Sequence, residues 1–161
     1  SYIIHLVPPY YKNFNKRVIK SPKLHFYDTG LVCSLLGITD HKQLYTHYMR
    51  GHLFESFVIS ECMKYRFNYG QNPNLYFWRD VQGHEVDCVL ERADKLVPLE
   101  IKSSITIGSD FFNGLVQWQT ISGTEQQPAY VVYAGTHSQE RKQANVVAWD
   151  QIKGLIDAHQ N

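Results

Sequence analysis

The stretch from Leu75 to Lys102, LYFWRDVQGHEVDCVLERADKLVPLEIK, decides the fold. It contains three β-rich runs, Leu75–Arg79, Glu85–Glu91 and Leu96–Lys102. The links at Gln82-Gly83 and Ala93-Asp94 are short enough for hairpins, so the spacing predicts an antiparallel meander. Side chains alternate across a strand, which puts Glu100 and Lys102 on one face and Leu99 and Ile101 on the other. On the strand before, Glu85 and Asp87 share a face, with Val86, Cys88 and Leu90 opposite. Closing the hairpin brings Asp87 toward Glu100.

Working upstream, Gly51 introduces a long helix in which Phe54, Phe57, Val58, Cys62 and Tyr65 recur at helical spacing. One of its faces should pack on the sheet. Glu55 lies near its start, where the helix dipole favours an anion. Before it come strand-like runs at Tyr2–Val7 and Lys23–Tyr27, then a short helix over Leu31–Leu36 capped by Asp28 or Thr29. A further helix is expected over Asp40–Met49. Downstream, a helix over Asp110–Ile121 precedes two buried strands, Ala129–Ala134 and Val146–Trp149. Asp150 can cap a last helix that buries Ile152, Leu155 and Ile156. This order predicts an α/β fold, a mixed central sheet flanked by helices.

Composition narrows the classes. With 161 residues, 14% aromatic and 19% charged, the chain is one folded domain in length. A net charge of +1 means that any nucleic-acid surface must be local. One local candidate is the connector from Lys12 to Lys23, which carries Lys12, Lys16, Arg17, Lys20 and Lys23 and no acid. The cysteines Cys33, Cys62 and Cys88 are odd in number and form no C-x-x-C pair, which points to a reducing cytoplasm and away from a zinc ribbon. No apolar run approaches the ~18 residues of a membrane helix, and no signal-peptide pattern is present. The eight histidines include no zinc-binding helical pair beside an acid. No phosphate-binding Gly-x-x-x-x-Gly-Lys-Ser/Thr loop occurs, so these residues are not themselves a P-loop ATPase. Opening on Ser and entering directly into a strand, the chain reads as an excised part of something longer.

The chemistry concentrates on the meander. Carboxylates at Asp87 and Glu100, with Glu85 beside them, are costly to crowd together unless a cation compensates. Hard oxygen donors suit Mg²⁺ or Mn²⁺, which take few protein carboxylates and keep several waters. The Ile101 backbone carbonyl is a candidate further ligand, and Glu55 could complete the site from the helix above the sheet. Lys102 would then sit beside the scissile phosphate, stabilising developing negative charge or positioning the attacking water. Arg79, at the end of its strand, could contact phosphate or pair with Glu85 or Asp80. His84 and Glu85 could not both face the site in a regular strand. A Glu–Lys pair two apart on a strand is also an ordinary surface ion pair, so its weight comes from the company it keeps.

Gly51-His-Leu-Phe-Glu55, Phe77-Trp-Arg79, Gly83-His-Glu-Val-Asp87 and Leu99-Glu-Ile-Lys102 together resemble the PD-(D/E)XK nuclease superfamily. More specifically, they resemble the C-terminal domain family that follows the ATPase module in many AAA+ ATP-binding proteins. Lys20-Ser-Pro-Lys23, Phe26-Tyr-Asp-Thr-Gly-Leu31 and Pro9-Tyr-Tyr-Lys-Asn13 fit the same family. The resemblance implies a restriction-endonuclease-like core over 29–161. Residues 1–28 would then be the tail of a preceding winged-helix-like region. It also implies catalytic roles for Asp87, Glu100 and Lys102, with Glu55 as the helix-borne acid. The superfamily's Pro-Asp is here Val86-Asp87, and its Gln-x-x-x-Tyr helix motif is half kept, as Gln117 followed by Ile121.

The expected function is Mg²⁺- or Mn²⁺-dependent hydrolysis of DNA beside an N-terminal AAA+ ATPase region, with no membrane partner and an oligomer allowed. Asp87, Glu100, Glu55 and Ile101 would hold the metal, and Arg79, Gln117, Lys16, Arg17 and Lys20 are candidate phosphate contacts. The alternative is a catalytically silent nuclease-like module used for nucleic-acid or protein binding and assembly. A defence or toxin–antitoxin component that meets a partner protein through its aromatic surface is a third reading.

Overall fold

A computed structural model describes residues 2–11, 20–93 and 95–158. The basic residues Lys12, Lys16 and Arg17, and Asp94 of the expected Ala93-Asp94 link, lie outside the described residues. Strands β1 (Ile4–Val7) and β2 (Lys23–Phe26) pair antiparallel as a small separate sheet. Helices α1 (Thr29–Leu35) and α2 (His41–Thr46) follow, each started by an aspartate. Asp28 accepts a hydrogen bond from the Leu31 N–H, and Asp40 accepts from those of Lys42 and Gln43. Extended backbone at His47 ends α2 three residues before the expected Met49. Helix α3 (Arg50–Asn68) takes Gly51 into its first turn.

The main sheet has six strands: β3 (Leu75–Arg79), β4 (Glu85–Arg92), β5 (Lys95–Lys102), β6 (Tyr130–Tyr133), β7 (Gln139–Glu140) and β8 (Asn145–Ala148). Their order is β3-β4-β5-β6-β8-β7. The expected meander is present, with β3, β4 and β5 antiparallel. Arg92 pairs with Lys95, and Ala93 adopts a left-handed φ of 49°, which a two-residue hairpin turn demands. Helix α4 (Asn113–Ser122), entered through a 3₁₀ turn at Ser109–Phe112, carries the chain over to β6, which runs parallel to β5. A second 3₁₀ turn, Trp149–Gln151, contains Asp150, so α5 (Ile152–Ala158) starts beyond the expected cap. It buries Ile152, Leu155 and Ile156 as expected.

The fold is thus mixed α/β, a six-stranded mixed sheet flanked by helices. Two apolar cores cover its faces. On one side Val58, Ile59 and Cys62 of α3 and Ile156 of α5 pack on Leu90, Leu99 and Ile101. On the other, Leu115 and Trp118 of α4 pack on Trp78, Val86 and Val131. Burial of these side chains is the main favourable term in folding. The small β1–β2 sheet lies on α3, where Ser60 donates to the Phe26 carbonyl at 3.0 Å. It joins the main sheet through a parallel bridge between Pro9 and Phe77. Among the described residues, no helix is long and apolar enough to cross a membrane.

Candidate active site

One departure from regular strand geometry builds the site. Tyr76 pairs with Val89 and Trp78 with Val86, so two steps on β3 face three on β4. The extra residue is a β-bulge at Asp87–Cys88, and bulges re-aim side chains. The expectation that Val86, Cys88 and Leu90 share a face is therefore corrected. Cys88 and Leu90 lie in the α3-side core, whereas Val86 joins the α4-side core.

The β4–β5 ladder also stops at the Cys88–Leu99 pair, so the strands separate beyond it. Asp87 occupies this fork, its Oδ2 accepting a hydrogen bond from the Ile101 N–H at 2.8 Å. The N–H and C=O of a strand residue point to the same edge, so the Ile101 carbonyl also faces the Asp87 side.

Carboxylates approach the fork from both sheet faces. On the α4 side, Glu100 Oε1 accepts from Lys102 Nζ at 2.5 Å. Glu100 is only 8% exposed, and its buried Oε2 has no hydrogen-bond partner among the described residues. Gly114, early in α4, permits this closeness: a Cβ there would sit 2.2 Å from the Glu85 carbonyl oxygen and 3.4 Å from Glu100 Oε2. On the α3 side, Glu55 Oε1 and Glu85 Oε1 both bind the Lys23 ammonium, at 2.9 Å for Glu55. Asp87 Oδ1 lies 3.8 Å from the same nitrogen. His25, the next outward residue but one on β2, meets Ser56 at 3.1 Å and Glu55 at 4.0 Å.

The electrostatics are those of crowded acids. Burial, then the charges of Glu100 and Glu55, push the Asp87 carboxyl up to about 8. Burial also raises Glu100, although Lys102 opposes the shift. For Lys23, burial disfavours the charge, but Glu55, Asp87 and Glu85 outweigh it and hold the ammonium above its usual range. Lys102 is raised in the same way, with burial outweighed by Glu100 and Asp87.

An open cleft of about 680 Å³ is bordered by Asp87, Glu100, Lys102 and Gln117. Helix α4 thus brings Gln117 beside the fork. Glu55 is not on this cleft and meets Asp87 across Lys23. Arg79 is half-exposed and pairs with Glu85 at 3.6 Å, the ion pair expected as its alternative role. Lys20 is exposed and does not border the cleft. His84 and Glu85 both border it, because His84 belongs to the turn before β4, where alternation does not apply. There His84 Nδ1 lies 2.8 Å from Asp80. Burial would raise Asp80, but hydrogen bonds from His84 and Gln82 hold it below the usual carboxylate range.

Two participants escaped the sequence reading. Glu85 was expected on the Asp87 face but given no ligand role, and Lys23 was placed in a basic connector. Its place at the start of a strand and at the end of Lys20-Ser-Pro-Lys23 marks Lys23, but neither points to a carboxylate partner.

Among the described residues, no three His, Cys, Asp or Glu side chains form a cage that could hold a divalent ion. The space among Glu55, Glu85 and Asp87 holds the Lys23 ammonium instead. The all-oxygen donor set and the unpartnered Glu100 Oε2 nevertheless suit an ion that takes one or two carboxylates and keeps its waters.

A family model described as a domain of unknown function, DUF4143, matches residues 50–152, well over half of the chain. The chain belongs to the DUF4143 family. A second domain of unknown function, DUF8612, matches residues 1–42, which include Lys23 and His25. The DUF4143 segment holds Glu55, Glu85, Asp87, Glu100 and Lys102, so the cluster draws on both matched segments. Over 137 residues the chain is 31% identical to the uncharacterized proteins Rv2008c of Mycobacterium tuberculosis and Mb2031c of Mycobacterium bovis. These alignments cover 84% of this chain but 29% of each relative, so the chain spans less than a third of the curated relatives it matches. No solved structure gives a significant match.

Proposed function

We propose that this DUF4143 chain is a PD-(D/E)XK nuclease-like module that hydrolyses DNA phosphodiesters with Mg²⁺ or Mn²⁺. In this reading it works in the cytoplasm beside an AAA+ ATPase region of a longer protein. The order of a helix, an antiparallel meander, a crossover helix and a parallel strand supports a restriction-endonuclease-like core. One observation carries the chemistry: Asp87, Glu100 and Lys102 border one open cleft, and among the described residues the buried Glu100 Oε2 there has no hydrogen-bond partner.

A bound divalent ion would supply Lewis acidity toward the phosphoryl oxygen and lower the pKa of a water. Asp87 and Glu100, with the Ile101 carbonyl, would hold it, and Glu55 would approach from α3. Lys102 keeps a positive charge at the cleft wall, where negative charge develops on phosphate. Gln117 would orient the phosphate from α4, and Arg79 would contact the backbone from the rim. Lys16, Arg17 and Lys20 would add sequence-independent phosphate contacts.

The test compares wild type with Asp87→Ala and Lys102→Ala on plasmid and linear DNA in Mg²⁺ or Mn²⁺. Metal-dependent cutting lost in both variants supports the reading, and cutting that survives both contradicts it. A second reading, a silent module for binding and assembly, is favoured by the Lys23 ammonium, which neutralises the acids as a structural ion-pair network does.

A further inference from the structure

We propose that Lys23 is a resident counter-cation of the carboxylate fork, which a divalent ion must displace in order to bind. The inference rests on the metal-dependent reading above and specifies how the site is regulated. Lys23 Nζ pairs with Glu55 at 2.9 Å, with Glu85, and more distantly with Asp87 at 3.8 Å. These are hard oxygen donors of the kind that Mg²⁺ and Mn²⁺ use. An ammonium this close to Asp87 competes with a second cation for the same oxygens, and like charges at this range repel strongly in a partly buried site. On the other side of the fork, the buried Glu100 Oε2 has no hydrogen-bond partner among the described residues. Lys23 therefore neutralises one side of the acid cluster, while on the other Lys102 pairs with Glu100 Oε1 and leaves Oε2 available.

Lys23 is also suited to leave. It is the first residue of β2, its side chain is 23% exposed, and it sits on a flexible four-carbon stem. Its strand belongs to the small sheet, not to the sheet that carries Asp87 and Glu100. The Phe77 ring, 5.3 Å from Nζ, adds a cation–π contact on the present path. Displacement would tie the β1–β2 hairpin to the state of the site, because His25 beside Glu55 lies on the same strand. Metal entry would thereby be sensed by the segment that matches a different family.

The test measures Mn²⁺ binding without DNA, from the electron paramagnetic resonance signal of free Mn²⁺. Wild type, Lys23→Met and Lys23→Arg are compared after circular dichroism confirms folding. Lys23→Met keeps the stem but loses the charge, so it should bind Mn²⁺ about tenfold more tightly, while Lys23→Arg stays near wild type. Equal or weaker binding by Lys23→Met overturns the proposal. In wild type, covalent labelling of Lys23 by an amine-reactive reagent, read by mass spectrometry, should rise severalfold as Mn²⁺ saturates. Unchanged labelling at saturation overturns it too, and this measurement does not depend on any variant folding. Tighter binding by Lys23→Met without DNA cleavage in any form would keep the counter-cation and discard the nuclease. Wild-type cleavage with identical Mn²⁺ affinities would do the reverse. Failure of every form to bind Mn²⁺ would discard both.

Discussion

The Asp87 carboxylate accepts a hydrogen bond from the Ile101 N–H at 2.8 Å, spanning the gap where β4 and β5 part. The contact joins the bulged strand to the strand that carries Glu100 and Lys102. It holds an acidic side chain where a ladder hydrogen bond would otherwise form. A bulge beside the last ladder pair thus converts an ordinary hairpin into a chemical fork.

Asp87→Asn separates charge from shape. The amide oxygen can still accept from the Ile101 N–H, while an acid whose ionisation burial and its neighbours oppose is replaced by a group that never ionises. The metal-free protein should therefore gain about 1 kcal/mol in a urea titration, a stability–function trade-off. Cleavage by the same variant should fall by ~10²-fold or more. A less stable variant would show that Asp87 is held by favourable pairing and not crowded.

Lys102→Met should lower cleavage by ~10²–10³-fold, with little change in DNA affinity, if the ammonium acts on developing charge. Single-turnover rates and filter binding on one oligonucleotide separate the two. Equal losses in binding and rate would make Lys102 a simple phosphate contact.

Gly114→Ala tests the close approach of α4. Alanine favours a helix interior by about 1 kcal/mol, but its Cβ would meet the Glu85 carbonyl oxygen at 2.2 Å. Overpacking should win, with destabilisation of about 1–3 kcal/mol in chemical denaturation. Because the clash lies on the backbone of Glu85, activity should fall further than stability does.

The β1–β2 sheet should be acid-sensitive. His5 is buried against His25 and Tyr27, and among the described residues neither ring nitrogen has a hydrogen-bond partner. Burial, with the neighbouring His25, lowers its pKa from 6.5 to about 4. The unfolded chain therefore takes up a proton first, so stability is full above pH 6.5 and is lost as pH falls toward 4. His25 is lowered as well, first by burial, although Glu55 opposes the shift. The loss assigned to His5 is on the order of 2–3 kcal/mol. Thermal unfolding from pH 7.5 to 4.5 should show it, and His5→Phe should remove most of that slope. An unchanged slope in His5→Phe would place the acid sensitivity elsewhere.

Much of this arrangement was legible in the sequence because it is local. The three runs between Leu75 and Lys102 carry their own turn signals, and period-two alternation puts Glu100 and Lys102 on one face. The apolar spacing of α3 likewise identified the face that packs on the sheet. The bulge at Asp87–Cys88 was hidden because no glycine or proline marks it, and one extra residue reverses the faces on one side only. Lys23 was hidden for a different reason. It reaches Glu55 across 32 positions of sequence, and only tertiary packing distinguishes it from the other basic residues of its connector. The two-residue edge strand β7 was too short to leave a periodic pattern.

In the proposed function Asp87 and Glu100 jointly hold a divalent cation at the fork. Anomalous diffraction at the manganese edge, from crystals of the protein equilibrated with millimolar Mn²⁺, would locate that ion. The expected result is one strong peak within ligand distance, about 2.0–2.3 Å, of carboxylate oxygens of both Asp87 and Glu100, absent in Asp87→Ala crystals. No peak at the fork, or a peak that persists in Asp87→Ala, would show that these carboxylates do not hold the ion.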